Sequence, residues 1–338
     1  MATIKDIARA VGVSPTTVSN VIHGNAGRVS AETVRRINEA IGRMNYVPNL
    51  SARALVSNSS RIVGVINHLV PVESGGFFQD PFHGALLAGI DLALRERDYY
   101  LMVRTINTVP ELTNLVTHWN LDGLILTGLF PQDFYQSLLR QPCPFLLIDS
   151  YINNPKVLQI RLEDRQGGYL ATRHLLENGH RDILFCSPTI REGGVVSERY
   201  YGYKQALAEY GIERRPENIY EGEIGIAQAT ALGRRLAGRG GFTAIFATAD
   251  ILAAGLISGL NAGGLRVPED VSIVGFDDLN ISQLTSPHLT TIHQDVVEKG
   301  MTAVRTLLSA IAREAFPAPI TFPVRLIERQ SVAKRQGA

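Results

Sequence analysis

Apolar residues recur at Ile4, Ile7, Ala8 and Val11, one face of a 3.6-residue repeat, and predict a first helix from Ile4 to Ala10. Thr3 stands at its N-cap position, and Asp6, three residues on, puts a favourable negative charge in the first turn. Val11-Gly12-Val13 breaks the pattern, and Gly12 permits the positive φ that a tight turn between helices needs. Ser14-Pro15 restarts a helix, with Ser as N-cap and Pro at the first helical position. Val18, Val21 and Ile22 form its apolar face. A third helix, from about Ala31 to Met44, turns Val34, Ile37, Ile41 and Met44 inward and carries Arg35, Arg36 and Arg43. Two short helices around a glycine turn, closed by a third, make a helix-turn-helix unit. Pro15, Thr16, Thr17 and Asn20 fall on the outward side of the second helix, where hydroxyls and an amide suit base-edge and phosphate contacts.

From Arg61 the rhythm changes. Short β-rich runs (Ile62–Ile66, Leu101–Val103, Leu124–Leu126, Phe145–Ile148, Ile183–Phe185, Ala244–Phe246, Ile273–Phe276) alternate with helical stretches such as Phe82–Arg97, Glu111–Trp119, Gly168–Glu177, Arg199–Glu209 and Ile251–Leu260. Buried strands alternating with helices predict an α/β, doubly wound parallel sheet covered on both faces. A core of this length predicts two such lobes, with a ligand cleft at the carboxyl ends of the strands.

Between the two regions, Asn49 to Val56 has helical propensity and Ser57-Asn58-Ser59-Ser60 reads as a linker. Such a helix is too short to be stable alone. The predicted organisation is a headpiece at 1–48, a hinge at 49–60 and a core at 61–338. Within the core, lobe one takes about 61–162 and 294–322, and lobe two about 163–293 and 323–338.

Composition sharpens this picture in three ways. The net charge of +1 divides unevenly: residues 1–61 hold eight Lys/Arg against three Asp/Glu (+5), and the remainder 25 against 29 (−4). A basic end on a faintly acidic body points that end toward a polyanion. Cys143 and Cys186 show neither metal-ligand spacing nor a disulfide framework, so a reducing compartment, no metal and no cofactor are expected. No apolar leader and no run near the ~20 residues of a membrane span is present, so a cytoplasmic protein away from membranes is expected. No dinucleotide fingerprint, phosphate loop, His-Glu-x-x-His or Gly-x-Ser-x-Gly motif occurs, and no histidine has a nucleophile beside it, so neither catalytic residues nor an enzyme are predicted. His180, after Gly179, is placed to satisfy the carbonyls of a helix end.

Specific motifs extend the reading. Ala2-Thr3-Ile4-Lys5-Asp6-Ile7-Ala8, Gly12-Val13-Ser14, Thr17-Val18-Ser19, Tyr46-Val47-Pro48-Asn49 and Ala52-Arg53-Ala54-Leu55 occur in order, and the segment resembles the headpiece of the LacI/GalR family of bacterial repressors. The resemblance implies base reading by Pro15, Thr16 and Asn20, with Pro15 unable to donate. It implies phosphate contacts from Thr3, Ser14, Thr17 and Ser19, and backbone contacts from Asn25 and Arg28. It also implies a hinge that folds only on operator DNA, with Leu55 levering a central base step apart in the minor groove. Val56 stands where many relatives carry a lysine.

The likeness continues through the core, in Gly179-His180-Arg181-Asp182-Ile183, Arg199-Tyr200-Tyr201-Gly202-Tyr203, Val267–Asp278 and Leu289-Thr290-Thr291-Ile292. It implies a core like that of periplasmic binding proteins, a homodimer on a near-palindromic operator, and a cleft tuned to a small metabolite, here expected to be a sugar or sugar derivative. Arg199 matches the family arginine that binds effector hydroxyls or a carboxylate, a task its planar fork suits. Asp277, after the strand Ser272–Phe276, would accept two hydroxyls. Asp80, Phe82, Asp149 and Asp250 are further effector candidates, although Asp250 and Asp164 precede helices and could equally serve as helix caps. The chain departs from the family at Ala249, Glu163-Asp164, Ile224 and the long loop His68–Gln79, which carries Phe77 and Phe78. A transport-type sugar-binding protein is the rival reading; it expects a secretory signal and leaves the headpiece without a use.

Overall fold

Thr3 and Asp6 close a capping box on the first helix, α1 (Ile4–Val11). The Asp6 amide donates to Thr3 Oγ1 at 3.3 Å and the Thr3 amide to Asp6 Oδ2 at 3.0 Å, satisfying two orphan donors reciprocally. Gly12 ends α1 in the left-handed conformation, at φ 75°. α2 (Pro15–Ile22) starts on Ser14, whose hydroxyl accepts the Thr17 amide at 3.0 Å, and α3 (Ala31–Arg43) on Ser30. Ile7, Ala8, Val11, Val18, Ile37 and Ala40 form the core of this unit. Arg36 on α3 donates to the carbonyl of Val11 at 2.7 Å, fastening the third helix to the turn.

The computed structural model describes residues 2–22, 24, 26–46, 59–68, 78–222, 225–314 and 319–335; residues 49–58 of the hinge with Leu55, and Asn25, Phe77, Ile224 and the side chain of Arg28, lie outside the described part. Residues 1–60 and 61–338 form separate units.

The second unit holds two six-stranded sheets. Sheet one runs in the order β11-β5-β4-β3-β1-β2, from β1 (Ile62–Asn67), β2 (Tyr100–Thr105), β3 (Gly123–Thr127), β4 (Phe145–Ile148), β5 (Leu158–Leu162) and β11 (Ile320–Phe322). All its pairings are parallel. Sheet two runs β12-β10-β9-β8-β6-β7, from β6 (Ile183–Ser187), β7 (Ile219–Glu221), β8 (Ala244–Ala247), β9 (Ser272–Asp277), β10 (Thr290–His293) and β12 (Arg325–Ile327). Only β12 is antiparallel to its neighbour. Helices cover both faces of each sheet. On sheet one, Val63 and Val65 pack with α4 (Pro81–Arg95) and α11 (Val296–Ile311), while Ile66 and Leu124 pack with α5 (Val109–Trp119). A single turn, α6 (Tyr135–Leu138), follows β3. On sheet two, Phe185 and Phe246 face α7 (Asp164–Glu177) and α8 (Val195–Glu209), and Leu184 and Ile245 face α9 (Ile226–Ala237) and α10 (Asp250–Ala262). Burial on both faces is why these strands read as continuous apolar runs.

The chain passes between the sheets at residues 162–164, at 293–296 and at 322–325, so each lobe is assembled from separated stretches of sequence. The ring of His180 does not serve a helix end: it bridges Thr243 Oγ1 at 3.0 Å and the Ala333 carbonyl at 3.1 Å, tying the C-terminal segment to lobe two. The helix end is closed instead by the His180 amide on the Leu175 carbonyl, with Gly179 at φ 87°.

Candidate functional site

In the first unit, Thr3, Ser14, Pro15, Thr16 and Asn20 are exposed, and Thr17 and Ser19 are half-buried. Thr16 and Asn20, four residues apart, share one face of α2. Thr3, Ser14 and Thr17 also serve their own helix starts; Ser14 and Thr17 hydroxyls lie 2.9 Å apart.

In the second unit, charged side chains gather at the carboxyl ends of both sheets. Arg199 on α8 is 7% exposed; its Nε donates to Asp164 Oδ1 at 2.7 Å and its Nη1 to the Thr248 carbonyl at 2.6 Å. The guanidinium carbon sits 3.5 Å from the centroid of the Phe276 ring. Helix contact sets this geometry. A Cβ on Gly168 of α7 would lie 2.0 Å from the Arg199 carbonyl oxygen, and one on Gly202 of α8 would lie 2.0 Å from that of Arg165. Only glycine at both places lets α7 and α8 approach closely enough to bring Asp164 under Arg199. Tyr151 adds a hydroxyl donated to Asp164 Oδ2 at 2.6 Å.

Asp277 ends β9, and Gln294 Nε2 donates to its Oδ1 at 2.6 Å. Gln294 Oε1 accepts from Lys299 Nζ at 2.7 Å, and Lys299, fully buried, donates to both oxygens of Asp149 at 2.9 and 3.0 Å. Asp149 of lobe one is thereby chained to Asp277 of lobe two. Phe82 borders this chain, its ring 5.7 Å from Lys299 Nζ. Asp80 caps α4 through the Phe82 amide at 3.1 Å and pairs with His83. Asp250 stands apart from these hydrogen bonds: Thr291 Oγ1 donates to it at 2.6 Å and the Leu279 amide at 2.9 Å, both within lobe two.

Burial pushes the Asp277 carboxyl up to about 7; Arg199 and Gln294 pull against this, and Asp80 adds to it. Burial likewise raises Asp164, against the Arg199 charge, and raises Asp250, with Asp277 adding to the effect. For Arg199 burial opposes the charge, but Asp164 and Asp277 outweigh it and hold the guanidinium protonated. Asp149 and Asp277 carry left-handed backbone, at φ 53° and 113°, and Asp278 follows at 57°. Such residues cost of order 1–3 kcal/mol each and gather where side chains must be aimed at a site. Sequence reading missed Lys299, Gln294 and Tyr151; a lysine inside the apolar periodicity of α11 was the one available signal for the first.

A cavity of about 360 Å³ lies elsewhere, at the amino end of β6, lined by Arg181, Asp182, Tyr203 and Arg215. It shares no residue with the charged chain. Among the described residues no His/Cys/Asp/Glu group suited to a metal occurs, and no helix is long and apolar enough to cross a membrane.

The family of bacterial regulatory proteins, lacI type, matches residues 3–49, and the periplasmic binding protein-like domain matches residues 172–332. The HTH-type transcriptional repressor PurR of Aliivibrio salmonicida is 36% identical over 324 residues, covering 92% of this chain and 92% of that protein. Among solved structures, the lac repressor dimer bound to operator and the anti-inducer ONPF aligns with a TM-score of 0.86 at 26% identity, over 98% of this chain and 99% of that one. The transcriptional regulator CelR–cellobiose complex aligns with a TM-score of 0.73 at 26% identity, over 98% and 100%. These relatives are transcriptional regulators, not enzymes. The chain belongs to the LacI family of bacterial regulatory proteins and is a DNA-binding transcriptional repressor governed by a small-molecule effector.

Proposed function

We propose that this repressor acts in the cytoplasm as a homodimer on a near-palindromic operator, with residues 1–48 as headpiece, 49–60 as hinge and 61–338 as effector-binding core. Pro15, Thr16 and Asn20 read bases. Thr3, Ser14, Thr17, Ser19, Asn25 and Arg28 hold the backbone, and Leu55 is the minor-groove wedge. The effector is a small hydroxyl-bearing metabolite, a sugar or sugar derivative, held between the lobes by Arg199 and Asp277 with Asp149, Phe82, Asp80 and Asp250.

The observation that carries this reading is the buried Arg199, paired with Asp164 and felt electrostatically by the raised carboxyl of Asp277, at the carboxyl ends of lobe two, with Asp277 joined through Gln294 and Lys299 to lobe one. An arginine fork donates to hydroxyl oxygens and an aspartate accepts from hydroxyls, so together they match a polyol. The cellobiose complex of CelR supports the same class.

The test is a thermal-shift screen of the full chain against sugars, sugar phosphates, nucleobases and nucleosides. A ligand at ~100 times its Kd adds about 2.7 kcal/mol and raises the midpoint by roughly 5–10 °C. A sugar hit that disappears in Arg199→Ala and Asp277→Asn supports the assignment. A hit from another class, or one indifferent to both substitutions, overturns it.

A further inference from the structure

The lobes touch at a second place, through residues that take no part in the Arg199–Asp164 or Lys299–Asp149 pairs. Arg191 lies in the loop between β6 and α8 of lobe two, and Asp133 lies in lobe one between β3 and α6. Arg191 Nη2 donates to Asp133 Oδ1 at 3.0 Å, and its guanidinium carbon stands 3.7 Å from the centroid of the Phe130 ring, also in lobe one. The second oxygen of Asp133 is fixed from within lobe one, by the Phe130 amide at 3.0 Å and by His68 Nε2 at 3.3 Å. His68, at the carboxyl end of β1, packs edge-on against Phe134, with ring centroids 5.0 Å apart. Burial holds the His68 pKa below its ordinary value. The neutral ring donates from Nε2 and leaves Nδ1 as the bare, buried nitrogen, without a partner among the described residues. The acceptor is therefore positioned before the arginine arrives.

Beside this contact the backbones meet. Ser150 of lobe one and Gly194 of lobe two form an antiparallel bridge, and Ser150 Oγ accepts the Leu129 amide at 2.8 Å. Gly194 has ordinary extended backbone, so its φ does not require glycine. Space does: a Cβ there would lie 2.7 Å from two carbons of the Phe130 ring. The same ring thus receives the arginine on its face and the glycine at its edge.

We infer that Arg191, seated on Phe130 and paired with Asp133, is a latch that holds the two lobes of the core closed, with Gly194 providing the close fit the latch needs. An exposed ion pair alone is weak, but a partner held by two donors and an aromatic seat add to it. Together they shift the closed-to-open ratio roughly 3- to 30-fold. The latch bears on operator control only through the effector reading proposed above. Lobe closure itself can be measured with no effector present, so the two ideas fail separately.

The experiment places spin labels on the full chain at Gln136→Cys in lobe one and Ala227→Cys in lobe two, both exposed, and reads the interlobe distance by pulsed electron resonance. Cys143 and Cys186 are buried, with thiols pushed up to about 11 and about 12, and stay unlabelled. Arg191→Met should raise a longer-distance population by that 3- to 30-fold factor, and Asp133→Asn, which leaves the aromatic seat, by a smaller one. Combining Arg191→Met with Asp133→Asn should open the lobes no further than Arg191→Met alone, because both remove the same pair, which two unrelated packing roles would not do. Gly194→Ala should open the lobes while leaving both charges in place. Unchanged distances in Arg191→Met overturn the latch, and so does a double variant whose opening is the sum of the two single effects.

Discussion

Lys299 is the residue whose removal should be felt most sharply. It is fully buried, donates twice to Asp149 and once to Gln294, and has no route to solvent. Lys299→Met keeps the aliphatic stem and close to the same volume, so the loss is electrostatic rather than steric. Asp149, 8% exposed, is left without the cation that both its oxygens face. Breaking a buried pair from one side costs about 3–5 kcal/mol, because the surviving charge stays desolvated and unpaired. At roughly 2–4 °C per kcal/mol for a unit of this size, the midpoint of the core should fall by about 6–20 °C. Adding Asp149→Asn removes the stranded charge. Asparagine also tolerates the left-handed backbone at that position, φ 53°, better than a branched or apolar residue would. The double variant should therefore recover at least half of the loss. Calorimetry of the full chain at pH 7.5 reads both values. A single variant melting within about 2 °C of the parent, or a double variant no better than the single, would refute the reasoning.

Other predictions follow from the same geometry. The carboxyl of Asp277 sits near 7 in the folded chain against an ordinary 3.8, so its contribution is intact below the ordinary range and is lost as pH rises toward 7. The midpoint difference between Asp277→Asn and the parent should accordingly grow in favour of the variant from pH 5 to pH 7 and then level off; a difference flat across that window contradicts the raised carboxyl. Asn20→Ala should weaken binding to the cognate operator by about 1–3 kcal/mol and leave nonspecific DNA binding unchanged, as read by competition in a fluorescence-anisotropy titration. In the same assay, Leu55→Ala should cost specific binding far more than nonspecific binding, since only a kinked site uses the wedge; equal losses would remove that role.

The features legible in the chain alone were the local ones. The capping pair Thr3 and Asp6, the turn at Gly12 and the Ser14-Pro15 start act over three or four residues, and each appears in the structure as its residue types predict. The long apolar strands were legible because burial on both faces leaves them nothing polar to display. The three-residue strands β7, β11 and β12 escaped notice, since so short a run carries no periodicity. So did α11, whose apolar face is interrupted by Lys299. The contacts that matter around the two lobe junctions join residues far apart in sequence: Lys299 meets Asp149 across 150 positions, and His68 meets Asp133 across 65. No local rule distinguishes a lysine bound for such a partner from one on a solvated face. Glycines such as Gly168 and Gly202 look like helix weaknesses until the facing helix is seen.

The placement of Gln294 and Lys299 has a mechanical consequence. Gln294 lies on one of the stretches by which the chain crosses between sheets, and Lys299 is the first turn of α11 beyond it, on a helix packed against sheet one. Their hydrogen bonds to Asp277 and Asp149 are 2.6 to 3.0 Å long. Such bonds are lost near 3.5 Å. Lobe motion that lengthens the path from Asp277 to Asp149 by only about 1 Å must therefore break one of them or carry the side chains with it. Neither charge can be left half-paired in so dry a place without cost, which disfavours intermediate separations. The same holds for Arg191 over Phe130, beside the backbone bridge between Ser150 and Gly194. Contacts of this kind make lobe closure a choice between two arrangements rather than a continuous bend, and a two-state core is what a small effector needs if it is to move an operator-binding equilibrium by differential affinity alone.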